Sequence, residues 1–415
     1  MAAMGASKAD EDLLERIRGA GAVYAGTPVC IHSTPLMLPV AAVRRWQRIL
    51  PRFHRIIRKV RAALLADLHR REESLAARFG MPLAEVELAL IEPGFASVAP
   101  LARVDAYVAD GDPQFLELNA ESPAGMGYAA ALDEVFRSDP RVNHLRSILP
   151  IAPTVATIRA IAQEWGHRHR RLQVAIVDFD GVGTAPEFIL LARAFQRAGL
   201  PTIVVDPREL SFDGDRLRAN GLAIDVVFRR CLVRDVVTRG AEMGALLAAY
   251  RTRRVCMINS LRTALLHNKG VFALLHDPSF PLTSAERAFV SRHIPQTFLL
   301  DDRARELAQR NHEEWVLKPT DGHGGRGVVL GWLTTQSVWE RALATTIPSI
   351  LQRRAPARRA PFADARDGHT YDLLADLAPF LARGKLAGFL CRVSPSELAN
   401  VTTGGATQVP VFVAG

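Results

Sequence analysis

The spacing of apolar residues changes character several times along the chain. Between residues 11 and 80 it follows the three-to-four-residue period of amphipathic helices. Ile49, Leu50, Phe53, Ile56, Ile57, Val60, Leu64 and Leu65 recur at helical spacing within the basic stretch 44–71. Pro51 is expected to break this helix, because proline lacks a backbone donor and crowds the preceding turn. Residues 87–119 change to strand character, a helical stretch follows to about Phe136, and Pro140 and Pro150 mark a boundary. Beyond it, QVAIV at 173–177, a helix over 186–198 and TIVV at 202–205 predict a β-α-β unit. It closes with IDVVFRR at 224–230, which makes a compact Rossmann-like unit. VCMI at 255–258 reads as another strand, and helices continue to about Arg310. Strands and turns return at 315–317, 327–330, 350–351, 371–377 and 386–393, and 353–368 is expected to be a loop or lid. The pattern predicts an α/β (α+β) chain in three regions, 1–150, 151–258 and 259–415.

Composition narrows the class. The 415 residues are 48% hydrophobic and 23% charged, which excludes a disordered tail, a collagen and a coiled coil. No apolar run approaches the roughly 18 residues of a membrane span. The first residues turn acidic and amphipathic without an apolar core, so no secretory signal is expected. Cys30, Cys231, Cys256 and Cys391 form no C-x-x-C pair and read as buried thiols of a reducing, cytoplasmic setting. The net charge of +9 admits a nucleic-acid or acidic partner, and the basic helix over 41–71 would be its surface. Yet only five of the 52 basic residues are lysine. That skew fits the arginine habit of a GC-rich genome, and it makes each retained lysine worth inspection.

Three segments carry chemistry. In LARVDAYVADGDPQFLELNAESPAG at 101–125, a hairpin centred on Gly111 sets Asp105 opposite Glu117 and Arg103 opposite Asn119, all four on one face. Val104, Ala106, Val108, Leu116 and Leu118 would take the other face and the core. Two carboxylates and an amide oxygen beside an arginine suit a hard cation such as Mg²⁺; a solvated hairpin with cross-strand ion pairs is the alternative. In EWVLKPTDGHGGRGVVLGW at 314–332, a strand delivers Lys318 to a loop with Gly322, Gly324, Gly325 and Gly327, and a second strand follows. Glycines let backbone N–H groups approach phosphate oxygens, and the lysine adds a point charge. A long hairpin turn is the alternative. Last come Lys269, which could reach a phosphate, and Arg392, which in mid-strand needs an anionic partner, either a phosphoryl group or a structural carboxylate. Asn400 and Gly404-Gly405 form a polar turn. A separate motif, VAIVDFDGV at 174–182, matches the nucleophile strand of HAD-type phosphatases, with Asp178, Asp180 and the pair Asp301-Asp302 as its carboxylates.

In their order these segments resemble the circularly permuted ATP-grasp family, the branch that includes glutathionylspermidine synthetase-like ligases. The resemblance rests on R-x-D at 103–105, E-x-N at 117–119, S-P-x-G at 122–125, the run 226–230, Asn268-Lys269, the K-P and glycine segment at 318–327, and R-x-S at 392–394. It implies a permuted ATP-grasp core with a helical N-terminal segment and a Rossmann-like pre-ATP-grasp domain. By that resemblance Asp105, Glu117 and Asn119 hold Mg²⁺, and Arg103 holds the substrate carboxylate or its acyl phosphate. Lys269, Lys318 and the loop 322–327 hold the phosphates of ATP, residues 350–352 with Gln352 form the adenine hinge, and Arg392 stabilises the transferring phosphoryl group. Arg353 departs from the pattern, since an acidic residue often follows the hinge glutamine. The resemblance implies a ligase that joins a small-molecule or peptide carboxylate to an amine, with no nucleic-acid or membrane partner. A nucleotide- or RNA-binding module without turnover and the phosphatase are the competing readings.

Overall fold

The structure, a computed structural model, describes residues 8–97, 99–109, 111–168, 171–322, 324–397 and 405–415. Its longest helix, Val40–Asp67, buries Val43, Trp46, Ile49, Leu50, Phe53, Ile56, Ile57, Val60 and Leu64 and turns arginines outward. Pro51 does not break it: the helix runs through, and Pro51 lies on the exposed side, where the carbonyl it leaves unpaired can meet water. The basic face is partly tied to the protein, with Lys59 pairing Glu286 at 2.7 Å and Arg45 pairing Asp112 at 3.5 Å. The expected strand character from residue 87 is displaced. Leu83–Leu90 is a helix, consistent with its alanines, leucines and glutamates, and the next strand starts only at Leu101.

The strands Leu101–Ala109 and Asp112–Asn119 form the predicted hairpin at one edge of a seven-stranded antiparallel sheet. Ala378–Ala382 pairs with the first of these strands, Lys385–Ser394 with Ala378–Ala382, and Thr370–Ala375 with Lys385–Ser394. The far edge is Arg358–Ala363, a regular strand where a loop or lid is expected. Phe362 explains the difference: it is buried, so the polar-looking run around it is anchored to the core. The Rossmann-like unit is a parallel four-stranded sheet in the order Cys256–Ile258, Val226–Arg229, Val174–Val177, Thr202–Val205. A third sheet, Thr297–Leu299, Ser349–Arg353, Trp315–Pro319 and Val329–Leu330, is antiparallel and has its own small core around Trp315, Trp339 and Leu351. The helix packed behind the first hairpin, the parallel sheet and part of the large sheet share continuous cores.

The hairpin keeps the expected register where the polar residues stand: Arg103 opposes Asn119 and Asp105 opposes Glu117. It then slips by one, and Ala106 opposes Phe115. Leu116 is the extra residue of a bulge. Phe115 therefore enters the core, its ring 4.9 Å from Phe53 and 6.0 Å from Trp46, while Leu116 leaves the core and lines a cavity. This reverses the expectation that Leu116 packs inside. Phe115→Ala should lower the unfolding free energy by about 3–5 kcal/mol in urea titration, and Leu116→Ala by less than about 1 kcal/mol. Equal losses would restore the unbulged register.

Candidate active site

The large sheet, the parallel sheet and the small antiparallel sheet surround one cavity of about 1210 Å³. Arg103, Asp105, Glu117, Asn119, Lys269, Lys318, Gly322, Gly324, Gly325, Gln352 and Arg392 all line it. Gly327 does not line it; its φ of +72° and the 2.8 Å approach of a notional Cβ to Pro319 assign it to the turn instead. Residues 398–404, which include Asn400 and Gly404, lie outside the described residues.

Asp105 is the centre of charge. Arg103 donates to it through Nε at 2.7 Å and Nη2 at 3.1 Å, and Arg392 donates through Nη2 at 2.8 Å. Burial works against its ionised form, but the two guanidinium groups prevail and hold its carboxyl well below the usual range. Arg392 is itself fixed by Asp376, whose Oδ1 accepts from the Arg392 backbone N–H and whose Oδ2 accepts from its Nε, both at 2.8 Å. Asp376 is buried, and sequence reading missed it. Only the oddity of a mid-strand arginine pointed to such a partner. Both partners of Arg392 are structural carboxylates, one of the two alternatives left open by the sequence.

The lysines tie the glycine loop to the hairpin. Lys269 Nζ donates to the Gly322 carbonyl at 2.6 Å and lies 3.4 Å from Glu117, while its backbone N–H donates to Thr320. Lys318 Nζ donates to Gln352 Oε1 at 2.7 Å. Burial lowers its ammonium to about 8, with Lys269 adding to the effect and Glu117 opposing it. Gln352 thus positions a lysine. Its other amide atom donates to Thr297 Oγ1 at 3.1 Å, and its strand is hydrogen-bonded on both sides. The segment 350–352, expected as the hinge, is thus interior strand, and of its three residues Gln352 lines the cavity. The segment 353–357 beyond it does line the cavity. There Arg353 pairs Glu314 at 3.1 Å, so an acidic residue reaches this spot from the short 3-10 turn that precedes the strand Trp315–Pro319.

Asp105 has both oxygens engaged by arginines, whereas Glu117 and Asn119 line the cavity beside it. Among the described residues no group of three or more His, Cys, Asp or Glu is placed to hold a metal. One carboxylate and one amide oxygen still suit Mg²⁺, which keeps several waters and takes substrate phosphates as ligands. The phosphatase carboxylates are dispersed. Asp178 lines the cavity, whereas Asp301 caps the helix Asp302–Arg310 by accepting from Ala304 N–H, and neither Asp301 nor Asp302 lines the cavity.

No protein-family model matches the chain. A putative glutamate–cysteine ligase 2-2 of Frankia casuarinae is 29% identical over 226 residues, 49% of this chain and 26% of that protein. The chain therefore spans about a quarter of the length of that relative. A glutathione synthetase-like effector from Globodera pallida, solved in apo form, superimposes with a TM-score of 0.59 at 12% identity, over 98% of this chain and 96% of that one. The ATP-grasp ligase PsnB, solved with a minimal precursor, Mg and ADP, overlaps 57% of this chain and 88% of its own at 13% identity. Its TM-score of 0.32 is too low to carry an argument. The fold is mixed α/β, like that of the glutathione synthetase-like effector.

Asp376→Ala should cost about 3–5 kcal/mol of unfolding free energy, because it leaves a buried guanidinium with half its compensation. A loss below about 1 kcal/mol in denaturant titration would show that the pair is not structural.

Proposed function

We propose that the chain is an ATP-dependent carboxylate–amine ligase of the circularly permuted ATP-grasp type. The observation that carries this reading is the convergence of Lys269, Lys318, Arg103 and Arg392 with Glu117 and Asn119 around one cavity, beside a glycine-rich loop. In this reading a substrate carboxylate oxygen bonds to the γ-phosphorus of ATP as the bond to ADP breaks. An amine nitrogen then attacks the acyl carbon and phosphate departs, leaving an amide. Little covalent work falls to the protein, so positioning and charge neutralisation dominate.

Lys318 and Lys269 would balance phosphate charge, and the backbone N–H groups of the glycine loop would close over it. Arg103 would hold the substrate carboxylate. Arg392, oriented by Asp376, would face the charge that builds on the phosphoryl group in flight. Mg²⁺, held through Glu117 and Asn119, would supply further neutralisation of the phosphates.

Screening pools of carboxylates and amines for stimulated ADP release, with mass spectrometry of the coupled product, tests the activity directly. Lys318→Ala should lower turnover at least about a hundredfold with the fold intact by circular dichroism. Arg392→Ala should do the same while also losing about 3–5 kcal/mol of stability, because Asp376 is left buried without its cation. Near-normal turnover in both would remove these roles. The kcat/KM for ATP should also fall as pH rises through about 8, where the Lys318 ammonium of the free enzyme loses its proton. Lys318→Arg should flatten that limb, because guanidinium keeps its charge.

A further inference from the structure

The helix Val40–Asp67 carries charge that the cavity does not use. From Val40 to Ala66 it holds no aspartate or glutamate, yet Arg44, Arg48, Arg52, Arg55 and Arg58 are exposed along it. At about 100° and about 1.5 Å per residue, these arginines share an arc of about 120° and a row about 21 Å long. None of them has an ion-pair partner among the described residues. Carboxylates reach the helix only at its flank, where Asp112 meets Arg45 and Glu286 meets Lys59. Exposed arginines elsewhere do find acids, as Arg141 finds Asp139 and Arg366 finds Asp364. A genome's arginine habit accounts for the residue type but not for the missing acids. Like charges at three- and four-residue spacing repel, a cost that a bound polyanion would offset. The turn at 383–385 widens the patch. Gly384 sits against the His54 ring, where a Cβ would come within 2.3 Å, and Arg383 and Lys385 beside it are exposed.

The apolar side of this helix is buried in the core, so it has nothing to insert into a lipid surface. Between the arginines the exposed arc carries alanine, glutamine and proline, without the aromatic anchors that protein interfaces use. A regular row of guanidinium groups suits a regular row of phosphates. Half sunk in the protein, the helix cannot enter the deep major groove of B-form DNA, about 8.5 Å from rim to floor. The wide, shallow minor groove of A-form RNA brings phosphates and 2′-hydroxyls up to a face of this shape. We propose that the exposed face of Val40–Asp67, with the turn at 383–385, binds double-stranded RNA through its backbone without reading base sequence. None of these residues lines the cavity, so the surface stands apart from the ligase reading and does not rest on it.

Fluorescence anisotropy of a labelled RNA duplex of about 20 base pairs, titrated with the full chain, tests this. Saturable binding is expected, at least about a hundredfold weaker at about 200 mM than at about 50 mM salt, as a row of phosphate contacts implies. Combining Arg48→Gln, Arg52→Gln and Arg55→Gln should weaken binding at least about tenfold and lower the salt slope by about 2–3. Glutamine keeps nearly the helix propensity of arginine, and these side chains are exposed, so the fold is preserved. Should that variant fail to fold, Arg383→Gln with Lys385→Gln is expected to weaken binding several-fold. No saturable binding, a flat salt dependence or unchanged affinity in the variants overturns the surface. Equal affinity for a DNA duplex of the same sequence overturns the assignment to RNA. Binding to phosphatidylserine–phosphatidylcholine vesicles in place of RNA overturns it in favour of a membrane.

Discussion

A carboxylate removed from water must find positive charge, and in this protein the need is met from two directions at once. Asp105 stands between Arg103 on its own strand and Arg392 from the far end of the chain. Each guanidinium would be as costly as the carboxylate if left alone in the interior. The pairing therefore fixes geometry more than it adds stability. It holds the hairpin and the strand Lys385–Ser394 at a defined angle to the cavity, with Asp376 completing the set. The surrounding polar residues inherit their positions from this buried charge cluster.

The rest of the cavity follows a division of labour between rigid strands and a pliant loop. Lys318 is delivered by a strand and steadied by Gln352, whereas Lys269 reaches across to hold the loop by a carbonyl. Arg234 also grips Asp321 at the loop's entrance. Between these anchors and the strand Val329–Leu330 the glycines offer backbone N–H groups without side chains in the way. Such a loop can fold over an anion at small cost, because its two ends are already fixed.

How much of this could be read from the sequence depends on what each residue answers to. Alternation placed Arg103, Asp105, Glu117 and Asn119 on one face, because strand geometry alone decides that. The parallel unit was equally legible from its hydrophobic runs. Pro51 and Phe362 were not, since solvent exposure on one side and core anchoring on the other are decided by tertiary packing. The Leu116 bulge depends on whether Phe53 and Trp46 accept a phenylalanine, which no local pattern encodes. Asp376 and Gln352 illustrate the deepest limit. Both act by holding another side chain, and that relation exists only once distant strands have met.

The separation of Asp105 and Arg392 by 287 positions has a consequence for how the molecule is made. During synthesis the hairpin leaves the ribosome long before the strand that completes it. Until then Asp105 and Arg103 have only each other and water, and the cavity lacks its floor. Assembly of the site is thus a late event that depends on closing a very long loop, the kind of contact that slows folding. A nascent or truncated chain would carry the hallmark residues of the site and still have no site at all.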